Sequence, residues 1–358
     1  MTDEAAAARP PFDLRPLDVA RPHEDEVRAI TPLWAALRHE SRPGDAPPTE
    51  ATVRGSLIGM AGLAELEVEM VVAWVGGRAV ARAIAFLPIG TDNRHLLQLD
   101  LAVAPEWRRR GIGRALLRWS LEVARRHRRS LVVSGTGARV PAGAAFARAL
   151  GAADALHASV NELDLEAHGE RLFGPDGLVA TWVREGPRRA PDYELAWIPR
   201  PYPEDVLVPF AALKSAMNDA PRGGLDVEDR AYTPASLRDA DAYDGAAGLV
   251  SWTLLARHRP TGAFAGFTEV VWEPTNPGVV FQGDTAVIPA HRGHALGKWL
   301  KAAMLERLHR ERPEARVVRT GNADTNAAML GINEALGFRQ AEGGVVVQIE
   351  VDELERHL

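Results

Sequence analysis

The apolar positions of this chain change period in a fixed order, and that order occurs twice. Phe12 to Leu17 suits a short first strand. Val27, Ile30, Leu33, Trp34 and Leu37 then recur at helical spacing over Asp25 to Leu37, with Pro32 placed to kink or divide the helix. Arg42 to Glu50 is rich in Pro and Gly and reads as a loop. Met70 to Val75 and Ala79 to Phe86 flank Gly76 and Gly77, which predicts a hairpin, and His95 to Val103 predicts the next strand. After Gly113 the period lengthens again: Leu116, Leu117, Leu121 and Ala124 share one helical face. Ser130 to Val133 reads as a strand, Ala144 to Gly151 as a helix stopped by glycine, and Ala158 to Leu165 as a strand.

The second half follows the same plan. It predicts a strand at Tyr193 to Ile198, a helix at Glu204 to Met217, and a polar, acidic stretch from Asn218 to Asp244. A hairpin follows over Leu249 to Arg257 and Ala263 to Trp272, then a strand at Gly283 to Ile288. Leu296, Trp299, Leu300, Ala303, Met304 and Leu308 form a helical stripe. Ala315 to Thr320 reads as a strand, Asn326 to Leu336 as a helix, and Val345 to Val351 as the last strand. Asp100 and Asp284, Val103 and Val287, Pro105 and Pro289, Arg108 and Arg292, and Gly113 and Gly297 all stand 184 residues apart. A constant offset over so many identities marks an internal repeat. The expected organisation is a tail over 1–11, one domain over 12–167, a linker over 168–191 and a second domain over 192–358, with an α/β (α+β) fold in each domain.

Composition narrows the function. A net charge of −6 gives no reason to expect nucleic acid as a partner. The chain has no cysteine, so a thiolate nucleophile, a disulfide and a cysteine-bound metal are all excluded. No apolar run approaches a membrane span, and residues 1–11 lack the basic-then-apolar order of a signal peptide, so the expected location is cytoplasmic, with no membrane partner. Positive charge is instead local: Arg108, Arg109, Arg110 and Arg114 crowd one turn. The arginines at 125, 126, 128 and 129 read as a solvated helix face.

A strand that runs into a glycine turn and then a helix leaves backbone N–H groups free at the helix start, where the helix dipole also favours an anion. Gly111, Gly113, Ala295 and Gly297 are small enough to let a ligand approach that backbone. The ligand implied is a diphosphate or a similar group. Two familiar phosphate loops fail here. Leu116 stands where the dinucleotide fingerprint needs its third small residue. Gly293 and Gly297 are one residue too close for a P-loop, and Trp299 follows Lys298.

What remains is arginine, two residues, a small residue, any residue and glycine. Arg108 to Gly113 resembles motif A of the GNAT superfamily of acyl-CoA-dependent N-acyltransferases, and Arg292 to Gly297 resembles it with alanine for the first glycine. The order of elements in each half is similar to the GNAT fold, a mixed, mostly antiparallel sheet flanked by helices. The second half also resembles the C-terminal repeat of bacterial tandem GNAT proteins such as mycothiol synthase. Met217 to Pro221, Arg292 to Leu300, and Thr320 to Asn326 through Asn333 to Phe338 carry that likeness.

The resemblance implies acetyl-CoA as cofactor and a small-molecule amine as substrate. It assigns the diphosphate to Arg108, Arg109, Arg110, Gly111, Ile112, Gly113 and Arg114, or to Arg292, Gly293, His294, Ala295, Leu296, Gly297 and Lys298. It assigns the pantetheine arm to the strand ends at Val103 and Val287, whose N–H groups face the thioester. Asp100 and Asp284 are the candidate bases for direct attack by the amine; each is equally suited to holding a neighbouring arginine. The tyrosine that many members use as acid falls at Ala147 and Asn333, so neither half supplies it there.

The first half has the better glycine turn. The second has Asn322 and Asn326, which suit pantetheine or a helix cap, and the acidic residues Asp219, Asp226 and Glu228, which suit a cationic substrate or a solvated loop. These favour the second half as the catalytic one. The competing reading is a CoA-binding regulatory or structural protein with degenerate sites.

Overall fold

A computed structural model describes residues 11–358; apart from Pro11, the tail expected over 1–11 lies outside the described residues. The first half runs β1 (Asp13–Pro16), α1 (Glu24–Ser41), α2 (Glu50–Ala61), β2 (Leu66–Val75), β3 (Arg78–Pro88), β4 (Leu96–Val103), α3 (Ile112–Arg126), β5 (Leu131–Gly137), α4 (Pro141–Ala149) and β6 (Ala153–Asp164). Two helices follow, α5 (Gly169–Phe173) and α6 (Leu178–Arg189). The second half is β7 (Tyr193–Ile198), α7 (Glu204–Lys214), α8 (Pro234–Ala247), β8 (Val250–His258), β9 (Phe264–Trp272), β10 (Val279–Val287), α9 (Leu296–Glu311), β11 (Val317–Ala323), α10 (Ala327–Leu336), β12 (Arg339–Glu350) and α11 (Val351–Arg356).

Several elements differ from expectation for identifiable reasons. Pro32 does not divide α1, whose N-terminus is fixed by a capping box between His23 and Glu26. The α2 helix carries Gly55 and Gly59, which weaken its sequence signal. Both glycines serve a close helix crossing: a Cβ on Gly55 would lie 2.1 Å from the Ala246 carbonyl oxygen of α8, and one on Gly59 would lie 2.8 Å from Tyr243. The stretch expected to be a linker is instead helical, and α6 docks Gly186 against Trp299 of α9, where a Cβ would lie 2.3 Å from the indole.

Among the described residues the strands form one 12-stranded sheet in the order β1-β2-β3-β4-β5-β12-β6-β11-β10-β9-β8-β7. The two halves exchange their last strands. The chain's final strand, β12, pairs with β5 of the first half, while β6 of the first half pairs with β11 of the second. The repeat is therefore covered by a single sheet rather than by two separate ones. Its inner faces are closed by α3 and α11 over the first half and by α6, α9 and α10 over the second. The opposite face carries α1 and α2 on one side and α7 and α8 on the other.

In each half one parallel pair opens into a wedge. β4 and β5 pair only from Leu96 to Gln98, and β10 and β11 only from Val279 to Phe281. Beyond those points, Leu99–Val103 and Gln282–Val287 keep a partner on one side only. The two wedges differ in one respect. β4 meets β3 in unbroken register, whereas β10 bulges between Gln282 and Thr285, around Gly283 and Asp284.

Candidate active site

Each wedge opens toward a glycine turn that starts a helix. Gly111 caps α3 with φ 88°, and Ala295 caps α9 with φ 58° in the same left-handed region. Neither helix has a side-chain N-cap, so the N–H groups of Ile112, Gly113 and Arg114, and of Leu296, Gly297 and Lys298, are left for a ligand. The alanine bears strain of about 1 kcal/mol that the glycine avoids.

The motif arginines tie each turn to its strand end and to a carboxylate. Arg108 Nε donates to the Val103 carbonyl at 3.0 Å, and its guanidinium grips Glu40 of α1 at 2.6 and 2.5 Å. Arg292 repeats this with the Val287 carbonyl at 2.9 Å and Asp219 at 2.7 Å. Each of these arginines, expected at the diphosphate, lies between its own strand end and a carboxylate. Arg110 is spent on the Glu106 carbonyl and the Trp107 ring. Arg109, Arg114 and Lys298 remain exposed beside the turns, as do Gly293 and His294. In the first half the Phe146 ring reaches Gly113 and stands where the second half has Ile332 against Gly297.

The two candidate bases have different surroundings. Asp100 makes a one-to-one pair with Arg82 at 2.8 Å, and the guanidinium lies 4.7 Å over Trp34. Asp284 shares its cation. Lys214 Nζ lies 2.6 Å from Glu269 and 3.1 Å from Asp284. Glu269 continues inward to the Tyr202 hydroxyl at 2.8 Å, and Tyr202 meets Thr253 and Arg200. Arg200 in turn is held by Asp241 and Asp244, each at 2.6 Å. With Arg238, which lies 3.7 Å from Asp241 and 2.7 Å from Glu204, this network contains three cations, Lys214, Arg200 and Arg238, against five carboxylates, Glu269, Asp284, Asp241, Asp244 and Glu204.

Burial works against the Lys214 charge, yet Glu269 and then Asp284 hold its pKa above the usual lysine value. Burial likewise pushes Glu269 up, but Lys214 outweighs it and holds the carboxylate ionised. At the mouth of the network, Asp284 is 38% exposed and Lys214 only 13%. Tyr232 stands nearby, its ring 5.9 Å from Lys214 Nζ, and burial followed by the Asp284 charge raises its pKa.

Behind the second wedge, Asn322 and Asn333 are joined: Asn333 Nδ2 donates to Asn322 Oδ1 at 2.8 Å. Asn326 caps α10 by accepting from the Met329 N–H at 3.3 Å. Beside the second turn, Tyr193, His258, His291 and His294 pack ring to ring, with the Tyr193 hydroxyl 2.8 Å from His291 Nδ1. Burial, with His258 and His294 close by, lowers the His291 pKa, so the ring is neutral near neutral pH.

The acidic segment expected to face a substrate crosses to the first half. Glu228 accepts from Asn93 N at 2.5 Å and donates its own N–H to Asn93 Oδ1 at 2.9 Å. The Asp226 carbonyl accepts from His95 Nε2 at 3.1 Å, and the Asp226 N–H donates to Gln348 at 3.0 Å. Of the three acidic candidates, only Asp219 stays at the turn. The loop after α1 crosses in the opposite direction, where Asp45 grips Arg319 of β11 at 2.8 and 3.0 Å.

Lys214, Glu269, Tyr232, Glu40 and Arg82 were not legible as site residues. Their partners lie between 18 and 70 residues away, and nothing local distinguishes them. The one available signal was the missing late-helix tyrosine, together with the position of all four tyrosines, Tyr193, Tyr202, Tyr232 and Tyr243, in the second half.

Comparisons with known proteins agree with this geometry. A family model described as an acetyltransferase (GNAT) domain matches residues 67–151. A solved tandem GNAT protein from the clavulanic acid biosynthesis pathway, without acetyl-CoA, is 31% identical; the match covers 95% of this chain and 99% of that one, with a TM-score of 0.76. A GCN5-related N-acetyltransferase from Sphaerobacter thermophilus shares the fold at 17% identity and TM-score 0.59, over 95% of this chain and 96% of that one. Another from Kribbella flavida shares it at 16% identity and TM-score 0.52, over 95% and 72%. No curated protein sequence matches the chain significantly.

Proposed function

The chain belongs to the GNAT acetyltransferases as a tandem member, and from that premise we propose that it acetylates the primary amine of a small molecule, with its second half as the catalytic one. When bound, acetyl-CoA supplies the acyl thioester. The N–H groups of Leu296, Gly297 and Lys298 fit its diphosphate, since no side chain among the described residues caps them. The unpaired edge of β10 up to Val287 fits its pantetheine arm as an added strand would.

The observation that carries the choice of half is the charge count around each aspartate. Arg82 neutralises Asp100. Asp284 is the exposed end of a network with two more carboxylates than cations, so it keeps a negative field at the wedge. That field draws in a protonated amine. Asp284 then accepts one proton, the free amine attacks the thioester carbon directly, the C–S bond breaks, and the departing CoA thiolate takes up the second proton released by the nitrogen. A chain with no cysteine is consistent with direct attack. Val287 N–H is the donor for the developing oxyanion. Tyr232 keeps its proton at neutral pH and stands beside Lys214.

The paired Asp100 and the Phe146 ring at Gly113 favour a second reading for the first half alone, CoA binding without turnover. The test is thiol release from acetyl-CoA by the full chain against a panel of small primary amines. Release that depends on one of the amines is expected. Tight CoA binding with no release by any amine would assign the whole chain to CoA binding instead.

A further inference from the structure

Lys301 is a buried cation that the mechanism above does not use. It lies on α9 with 2% of its surface exposed, inside the second-half core. No charged group acts on it, and burial alone brings its pKa down to about 7. Its Nζ donates to Asn333 Oδ1 at 2.7 Å, and Asn333 Nδ2 donates to Asn322 Oδ1 at 2.8 Å. The chain of bonds has a direction. While it is protonated, Lys301 has no lone pair to accept a bond, so it meets the oxygen of Asn333, as the structure shows, and not its nitrogen. That turns the Asn333 NH2 toward Asn322 and occupies the Asn322 oxygen. The NH2 of Asn322 is then left over, with no partner among the described residues.

Asn322 lies on β11 three residues past Arg319, the last residue that pairs with β10. It is therefore on the side of the wedge opposite Val287. In the first half the corresponding positions are Leu117, Thr136 and Ala147, which cannot form such a chain. The polar line from core to wedge belongs to the second half.

We propose that Lys301 and Asn333 are positioning residues that present the side-chain N–H group of Asn322 to a carbonyl of the pantetheine arm. This rests on the reading that the second wedge takes acyl-CoA. The informative variant is Asn333→Asp. It keeps the acceptor for Lys301 and gains an ion pair, so the fold is retained, as a thermal midpoint at or above the wild type will report. It also reverses the line: Asn322 flips to donate to the carboxylate and turns its oxygen to the wedge.

The test is calorimetric titration of the full chain with CoA and, separately, with the pantetheine-free nucleotide fragment of CoA, its 3′-phospho-ADP part. Loss of one hydrogen bond predicts about tenfold weaker CoA binding by Asn333→Asp, with the fragment bound as by the wild type. Asn322→Ala should match it, and the double variant should be no weaker than Asn322→Ala. Wild-type CoA affinity in Asn333→Asp, or equal weakening of CoA and fragment, would overturn the proposal. A wild-type chain that binds neither probe would instead overturn the acyl-CoA reading beneath it.

Discussion

Replacing Lys301 by methionine should stabilise this protein near neutral pH. The substitution keeps an unbranched stem of similar length in the same buried slot and removes the charge. Lysine ordinarily titrates at 10.5, and in this site at about 7. Each pH unit of that difference is worth about 1.4 kcal/mol, so holding the ammonium here costs about 5 kcal/mol relative to water. The variant loses the bond to Asn333 and leaves an unpaired amide oxygen, at a cost of about 1–3 kcal/mol. The net expectation is a gain of about 2–4 kcal/mol near pH 7.

The sign fixes the pH dependence. The folded-state pKa is depressed, so unfolding takes up a proton between about 7 and 10.5. The stability linked to Lys301 is fully present above its unfolded pKa and is lost as pH falls through the folded one. Wild-type stability from this site therefore rises by about 1.4 kcal/mol per pH unit across that window, and the Lys301→Met advantage shrinks with it. Urea denaturation followed by tryptophan fluorescence, run in parallel on both proteins over a pH series, measures the difference. A difference that does not change with pH, or a variant destabilised throughout, would refute the reasoning.

Two further predictions follow from the fold and the turn. Because β12 completes the first half and β6 the second, residues 1–191 and 192–358 produced separately should each be insoluble or molten, and co-expression should restore a soluble complex, as size-exclusion chromatography and circular dichroism will report. Ala295→Gly should relieve the left-handed alanine at φ 58°, raising stability by about 0.5–1 kcal/mol in urea denaturation while CoA affinity stays the same or improves.

The features that could be read from the sequence were those made by neighbours in the chain. The two turns were legible because the arginine, the small residues and the helical stripe after them lie within a dozen positions. The wedge strands and hairpins were legible from their alternation. What escaped was decided by contacts across the fold. Gly55 and Gly59 look like helix breakers until α8 is laid against them. Strand exchange leaves no mark, because β6 and β12 carry the same pattern whichever sheet half receives them. Arg108 and Arg292 looked like phosphate ligands because Glu40 and Asp219, their partners, are 68 and 73 residues away. Lys301 sits between the apolar positions of α9 and reads as a solvated residue, although the core closes over it.

The central claim is that the second half performs acetyl transfer with Asp284 as its base. Steady-state turnover of acetyl-CoA with an accepted amine, compared among the wild type, Asp284→Asn and Asp100→Asn, tests it most directly. The account predicts that Asp284→Asn loses about a hundredfold or more in kcat, with CoA affinity retained, and that Asp100→Asn turns over as the wild type does. Loss of activity in Asp100→Asn with Asp284→Asn unaffected would contradict it.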